Sequence, residues 1–419
     1  MILELVLLIL NPNWSSKFCS IKPPEVDISI DVYDVVVQGA VGDGVADDSM
    51  AFQNVWMKVC QGNSIFPVFI IPSGKNFLLS PVTFKGPCRS PKIVVKVLGN
   101  IVAPDQISAW GNNAKHSWID FSHIDGMTIH GPGMIDGQGL TWWNQSHDFK
   151  LDSCNRVELS RLKHINSPRN HISIHNRVEL SRLKHINSPR NHISIHNSTD
   201  VIVSNINITS PGSSHNTDGI DISRSTYIRI QDSFIGTVSD DCITINGGTS
   251  YVEITNLACG PDHGIRVGVG SLGAKGATEI VENIHVQNCT FTGTQNGVRI
   301  KTWQGGSGYA RHITFDQIKF VEVYNPIIID QYYCNAKHNC KNQTSAVEVS
   351  DLYYTRIYGT SKHPKNVINL KCSQDVPCTN IVMNQINIQS MDPVKNSTGF
   401  SYNAYGISND TTPDVTLLS

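Results

Sequence analysis

The chain has 419 residues, more than one compact core usually holds, but a solenoid escapes that limit because each coil touches only its neighbours. Charged residues make up 16% of it against a typical ~25%, and a net charge of −2 excludes the broad basic footprint of a nucleic-acid-binding protein. A polyanionic ligand would have to be met by a local cluster of cations, not by the field of the whole molecule.

At the start, Ile2 to Leu10 is an apolar run long enough for the core of a signal peptide and too short to cross a bilayer. Glu4 interrupts it and no basic leader precedes it, so residues 1–20 are a weak candidate for a signal peptide. No later run resembles a membrane span. Export is supported independently by eight Asn-x-Ser/Thr sequons, at Asn13, Asn144, Asn197, Asn207, Asn288, Asn342, Asn396 and Asn409. Eleven cysteines become ten if Cys19 leaves with a leader, and Cys334/Cys340 and Cys372/Cys378 have the spacing of small disulfide loops. The expectation is a secreted, extracellular glycoprotein, monomeric and without a membrane partner.

Next comes one helix, predicted near Ser49 to Cys60 and capped by Asp47 or Asp48, which would close the N-terminal mouth of a coil. Residues 156–176 and 177–197 are identical, each reading RVELSRLKHINSPRNHISIHN. Twenty-one residues are close to one coil, so the fold can absorb the copy as a neutral extra rung, with the second copy in register with Asp218 and the coils beyond it. Short alternating apolar runs then recur, among them Val201-Ile202-Val203 with Ile206 and Ile208, Ile228 and Ile230 with Phe234, and Ile284 and Val286 with Phe291. Later runs are Ile313 and Phe315 with Ile318, and Ile381–Val382 with Ile386 and Ile388. Period-2 runs broken by Gly, Asn, Asp and Ser turns indicate strands, and their recurrence indicates an all-β parallel β-helix. Residues 31–400 are expected to form one domain.

Ionisable residues fall on this period. Asp218 to Asp240 is 22 residues, and Asp241 to His263 is again 22. Side chains on successive rungs lie roughly 4.8 Å apart. Three carboxylates so crowded repel, and at least one should keep its proton near neutral pH. Asp240 and Asp241 are sequence neighbours, which share a cleft only if the chain bends between opposite faces of a strand. Arg299 and Lys301, two apart, share one face. Tyr332 follows the apolar run Ile327–Ile329.

Asn216-Thr217-Asp218-Gly219, Asp240-Asp241-Cys242, His263-Gly264 and Arg299-Ile300-Lys301 occur in that order. Together they resemble the four signatures of the polygalacturonases, glycoside hydrolase family 28, especially its plant members. Gly39-Ala40, Gly42-Asp43-Gly44, Trp142-Trp143, Asn-Ser-Pro at Asn166 and Asn187, and Thr302-Trp303 extend the likeness over roughly residues 31–390. The resemblance implies a right-handed parallel β-helix that hydrolyses α-1,4 bonds of polygalacturonate in pectin, with inversion and without a metal or other cofactor. By the same resemblance Asp240 is the proton donor, Asp218 and Asp241 position and deprotonate the water, and His263 keeps the acid protonated and oriented. Arg299 and Lys301 hold uronate carboxylates, and Asn216, His192 and Tyr332 are further substrate contacts.

The chain departs from the family pattern in four places. Ser239 and Asp262 replace glycines, Asp262 adding a negative charge beside His263. His215 replaces a proline, and the loop Arg266–Gly273 is two residues longer. Carboxyl groups one rung apart, at about 4.8 Å, match the ~5–5.5 Å of retaining glycosidases better than the ~6.5–9.5 Å of inverting ones, so spacing and resemblance disagree about stereochemistry. Two rival functions are a Ca²⁺-dependent pectate lyase acting by β-elimination and a catalytically impaired pectin-binding protein.

Overall fold

The predicted alternation becomes coils because each strand presents one row of branched apolar side chains inward. The computed structural model describes residue 110, residue 273 and residues 31–106, 117–139, 149–167, 170–214, 217–268, 276–333 and 343–419. The signal-peptide candidate, Asn216, His215, Cys334, Cys340, Trp142-Trp143 and three sequons (Asn13, Asn144, Asn342) lie outside the described residues.

Two extended sheets form, one of 21 strands and one of 12, and strands pair with counterparts on neighbouring coils. The strands Ile172–His175, Ile193–His196, Ile220–Ser223, Ile243–Ile245, Ile265–Val267 and Asn296–Trp303 follow one another in the 12-stranded sheet, all parallel. Their register stacks Ile172, Ile193, Ile220, Ile243, Ile265 and Val298 into one interior ladder. All six are fully buried. Branched side chains suit such a ladder, since each packs on its equivalent above and below. The right hand of the coil is that of nearly all parallel crossovers.

Helix α1, Ser49–Gln61, closes one end. Phe52 meets Phe69 and Phe77 edge-on, Trp56 packs on Phe84 and Phe121, and Cys60 is bonded to Cys88. Its cap differs in detail from expectation. Asp47 accepts from the Ser49 amide at 3.0 Å, whereas the buried Asp48 carboxylate turns back to the amides of Val41 and Gly42. The Cys372–Cys378 loop forms as predicted, and Cys242–Cys259 is a bridge that spacing did not suggest. Cys154 and Cys289 are buried free thiols.

The duplicated segment forms two successive coils paired residue for residue: Val157 with Val178, Lys163 with Lys184, Ile172 with Ile193. Doubling one rung doubles its histidines. His164 lies against His185 with ring centroids 5.0 Å apart, His171 against His185 at 5.1 Å, and His171 stacks on His192 at 4.9 Å. Burial drives all four toward the neutral form, His164 down to about 3 and the others well below the usual histidine range. His192 is 0% exposed, so the expected substrate contact there is corrected: its ring turns into the interior and stacks on His171, away from the cleft.

Candidate active site

The outward row of the 12-stranded sheet carries the chemistry. One step along each strand from the interior ladder lie Ser194, Asp221, Thr244, Arg266 and Arg299, in register on successive rungs. Just before these strands the chain turns, and the turns carry Asp218, Asp240–Asp241 and His263. The Gly219 amide donates to the Asp241 carbonyl at 3.0 Å, and that of Cys242 to the Gly264 carbonyl at 2.8 Å. The register therefore continues to align Asp218 with Asp241 and Asp241 with His263. Glycine is required after the acid and after the histidine. A Cβ on Gly219 would come 2.5 Å from the Cys242 carbonyl oxygen, and one on Gly264, at φ +82°, 2.2 Å from that of Asn296.

The expected bend is present before Asp240. Val238 holds φ +64°, a conformation β-branched residues rarely adopt, and its amide donates to the Pro261 carbonyl at 2.7 Å. The Thr237 and Ser239 hydroxyls donate to the carbonyls of Asp240 and Ser214. As a result Asp240 faces out toward His263, whose Nδ1 is 3.6 Å from its carboxylate, while Asp241 turns down. The Asp241 amide donates to both neighbours, to Asp218 Oδ1 at 3.2 Å and to Asp240 Oδ1 at 3.0 Å. One N–H thus ties the two partly exposed carboxyl groups together.

Asp241 itself is 0% exposed and sits between two guanidinium groups, Arg266 Nη2 at 3.0 Å from Oδ2 and Arg299 Nη2 at 3.3 Å from Oδ1. Asp240, Asp241 and His263 offer ligand atoms within 4.8 Å of one another. Both Asp241 oxygens face arginines, however, and these would repel a cation. Lys301 is only 5% exposed, its ammonium 3.7 Å over the Tyr333 ring. Burial first, then Arg266 and Arg299, lower its pKa to about 7.

Protons distribute unevenly over the carboxyl groups. Burial, then the charges of Asp240 and Asp241, raise Asp218 well above the usual range, and burial raises Asp241 against the pull of Arg266 and Arg299. At Asp240 burial is outweighed by the His263 hydrogen bond and the Arg266 charge, which bring it to about 2. Among the crowded acids the surroundings thus favour the protonated form at Asp218 and the ionised form at Asp240, the expected donor. Asp262 is 3% exposed and accepts from the Gly264 amide at 2.8 Å, and burial raises its pKa, which weakens the negative charge expected beside His263.

Arg299 and Lys301 both lie in the cluster. Tyr332 does not reach it: its hydroxyl accepts from the Gln374 amide at 2.8 Å and its ring faces Lys371. Its neighbour Tyr333 takes the place under Lys301, because alternate residues face opposite ways. Sequence reasoning missed Arg266, Asp221 and Tyr333. A signal for the first existed, since Gly264-Ile265-Arg266-Val267 repeats the pattern of Gly297-Val298-Arg299-Ile300. Asp221, which accepts from Asn191 and Thr244 at 2.8 Å, is a polar break in an apolar row.

Beside His263 a hollow of about 420 Å³ continues the cleft, lined by Val238, Pro261, Gln295, Tyr324, Asn325 and His363. A larger groove, about 760 Å³, runs along the other sheet past Tyr227 and Tyr251. Its acids and arginines, among them Glu158, Glu179, Arg177 and Arg229, are exposed on an open sheet face and pair as in Arg229–Glu253 at 3.1 Å, whereas the smaller site adjoins buried and half-buried acids and cations, so chemistry favours the smaller site.

The family model for glycosyl hydrolases family 28 matches residues 60–404. A probable polygalacturonase of Arabidopsis thaliana is 44% identical over 372 residues, covering 87% of this chain and 75% of that protein. A polygalacturonase of Persea americana is 40% identical, covering 87% and 74%. Among solved structures, an endo-xylogalacturonan hydrolase from Aspergillus tubingensis superposes with TM-score 0.66 at 22% identity, over 91% of this chain and 99% of that one. The polygalacturonase from Erwinia carotovora gives 0.58 at 19% identity, over 94% and 100%. At these identities the structures speak for the fold.

Proposed function

The chain belongs to the glycosyl hydrolases family 28, and we propose on that footing that it hydrolyses α-1,4-galacturonosyl bonds of polygalacturonate and pectin and so modifies the plant cell wall. One observation carries the reading: Asp218, Asp240 and His263 gather at one cleft over the buried Asp241, beside Arg266, Arg299 and Lys301. A cleft with three buried or half-buried cations in a nearly neutral protein suits a polyanionic sugar chain.

In the reaction Asp240 gives its proton to the leaving glycosidic oxygen. A water on the opposite face of the sugar attacks the anomeric carbon, losing its proton to the Asp218–Asp241 side. The two carboxyl groups bound to one amide titrate as a pair. An anionic substrate raises the pKa of the acids it approaches, most at the outward-facing Asp240. A proton passing from Asp218 to Asp240 then charges the acid and leaves Asp218 ionised as the base. His263, at 3.6 Å, is placed to steer Asp240 through this change. With water, not a second carboxylate, as nucleophile, the product anomer is inverted.

Export to the cell wall is part of the same reading. The five described sequon asparagines, Asn197, Asn207, Asn288, Asn396 and Asn409, are all exposed, and three disulfides form among the described cysteines. One chain carries every group the chemistry uses, as a monomer requires.

Incubation with polygalacturonate, followed by reducing-end assay and by NMR of the first product, tests the function. New saturated reducing ends of inverted configuration are expected. Unsaturated ends that absorb in the ultraviolet would establish elimination instead, and binding without any cleavage would establish a non-catalytic pectin-binding protein.

A further inference from the structure

Asp241 cannot meet water in this cleft, because its carboxylate is 0% exposed under the two guanidinium groups. The two arginines do not hold it alike. Arg299 makes a hydrogen bond to Oδ1 at 3.3 Å. Arg266 lies 3.0 Å from Oδ2 without hydrogen-bond geometry, and among the described residues Oδ2 has no hydrogen-bond partner. The Nε atoms of both arginines are buried and likewise without a partner among the described residues. A guanidinium held only by charge, with a spare donor, is poised to take a carboxylate that offers two oxygens.

Position supports this. Arg266 and Arg299 occupy the same outward row on adjacent rungs, and both are partly open to the cleft, at 11% and 18% exposure. Two forks spaced by a rung, roughly 4.8 Å, form a pair of sites along the solenoid axis. The groups facing Asp241 are Asp218, Asp240, His263, Arg266 and Arg299, with Lys301 close behind. Arg266, Arg299 and Lys301 are three cations gathered around Asp241, and burial disfavours the ionised forms of Asp218 and Asp241, so an incoming anion meets a cleft rich in positive charge. Asp221, two rungs from Arg266 with Thr244 between them, has its own donors in Asn191 and Thr244.

The geometry points to Arg266 as a specificity-determining residue: it binds the carboxylate of a galacturonate unit next to the one Arg299 takes, and in leaving Asp241 it opens that carboxylate to water. The inference rests on the hydrolytic reading and deepens it. Only a stretch of substrate with two neighbouring free carboxylates would fill both forks. Methyl-esterified pectin, lacking the charge, would leave Arg266 over Asp241.

The test compares kcat/KM of wild type, Arg266→Gln and Arg266→Lys on polygalacturonate and on highly methyl-esterified pectin, with thermal unfolding run in parallel. Arg266→Gln also removes the charge that faces Asp240 and Asp241, so activity on both substrates changes, but the loss on polygalacturonate is expected to exceed that on the methyl ester by about ten-fold or more, the scale of one charged hydrogen bond. Arg266→Lys keeps the charge without the fork and should fall in between on polygalacturonate only. Equal losses on both substrates, or no loss on either, would overturn the inference. If Arg266→Gln does not fold, the lysine variant alone decides by the same ratio. Failure of the underlying function would show separately, as a wild type that cleaves neither substrate.

Discussion

Within the cleft single residues have separable jobs. Asp240→Asn keeps the size and the amide contact from Asp241 but removes the transferable proton. Its kcat should fall by about 100-fold or more, the general acid–base contribution, with substrate affinity largely kept. Near wild-type turnover would remove Asp240 from the acid role. Lys301 has a pKa lowered to about 7, so its charge is present below that pH and is lost as pH rises through it. Polygalacturonate affinity should therefore decline above about pH 7 in the wild type. Lys301→Ala should weaken binding by about 1–3 kcal/mol and flatten that decline. Calorimetric titration across the range checks both, and an unchanged slope in the variant would assign it to another group.

Among elements, the duplicated rung is the informative one. Deleting residues 156–176 joins Asn155 to Arg177, the same residue type that now comes after it, so each local turn is kept. In a solenoid, stability is nearly a sum over neighbouring coils, and a folded, active protein is expected. The deletion also removes His164 and His171 from the buried stack. Their folded pKa values are depressed, so the folded state binds fewer protons than the unfolded one below about pH 6.5. The stability tied to their neutral forms is complete above that pH and lost as pH falls. The deletion variant should gain on the wild type on acidification, by about 3 kcal/mol per pH unit for two protons. Denaturant titrations at about pH 7 and about pH 5, on either side of the ordinary histidine pKa, measure this. A variant that gains nothing on the acid side would show that the histidines are charged or hydrated inside the coil.

The whole molecule contributes little long-range attraction, since its net charge is −2. On the proposed reading Arg266, Arg299 and Lys301 hold substrate at short range, in a partly buried cleft where salt screens weakly. Raising ionic strength from about 0.02 M to about 0.2 M should cost less than about ten-fold in affinity, because the Debye length matters only to charges separated by more than it. A loss of several orders of magnitude would mean that a diffuse field, and not the cleft, recruits the polymer.

The coil and the clustering of Asp218, Asp240, Asp241 and His263 were legible in the amino-acid order. Period-2 apolar runs need only local alternation to be read, and the 22-residue recurrence of Asp218, Asp240, Asp241 and His263 announces that the coil will bring them together. That Arg299 and Lys301 share a face was equally legible, since it needs only the alternation of a strand. Where each side chain turns, and what charge it keeps, had to wait for the packed coils. His192 looked like a cleft residue, but one residue before an interior isoleucine lies a turn, and the turn sent its ring into the core. Tyr333 and not Tyr332 reached Lys301, again because a single step along the chain reverses the direction of the side chain. Asp262, charged by residue type, is buried with its pKa raised, and burial and crowding favour the proton on Asp218 over Asp240. Burial and the distance to other charges set these outcomes, and both depend on rungs about 20 residues or more apart in the chain, one turn of the solenoid.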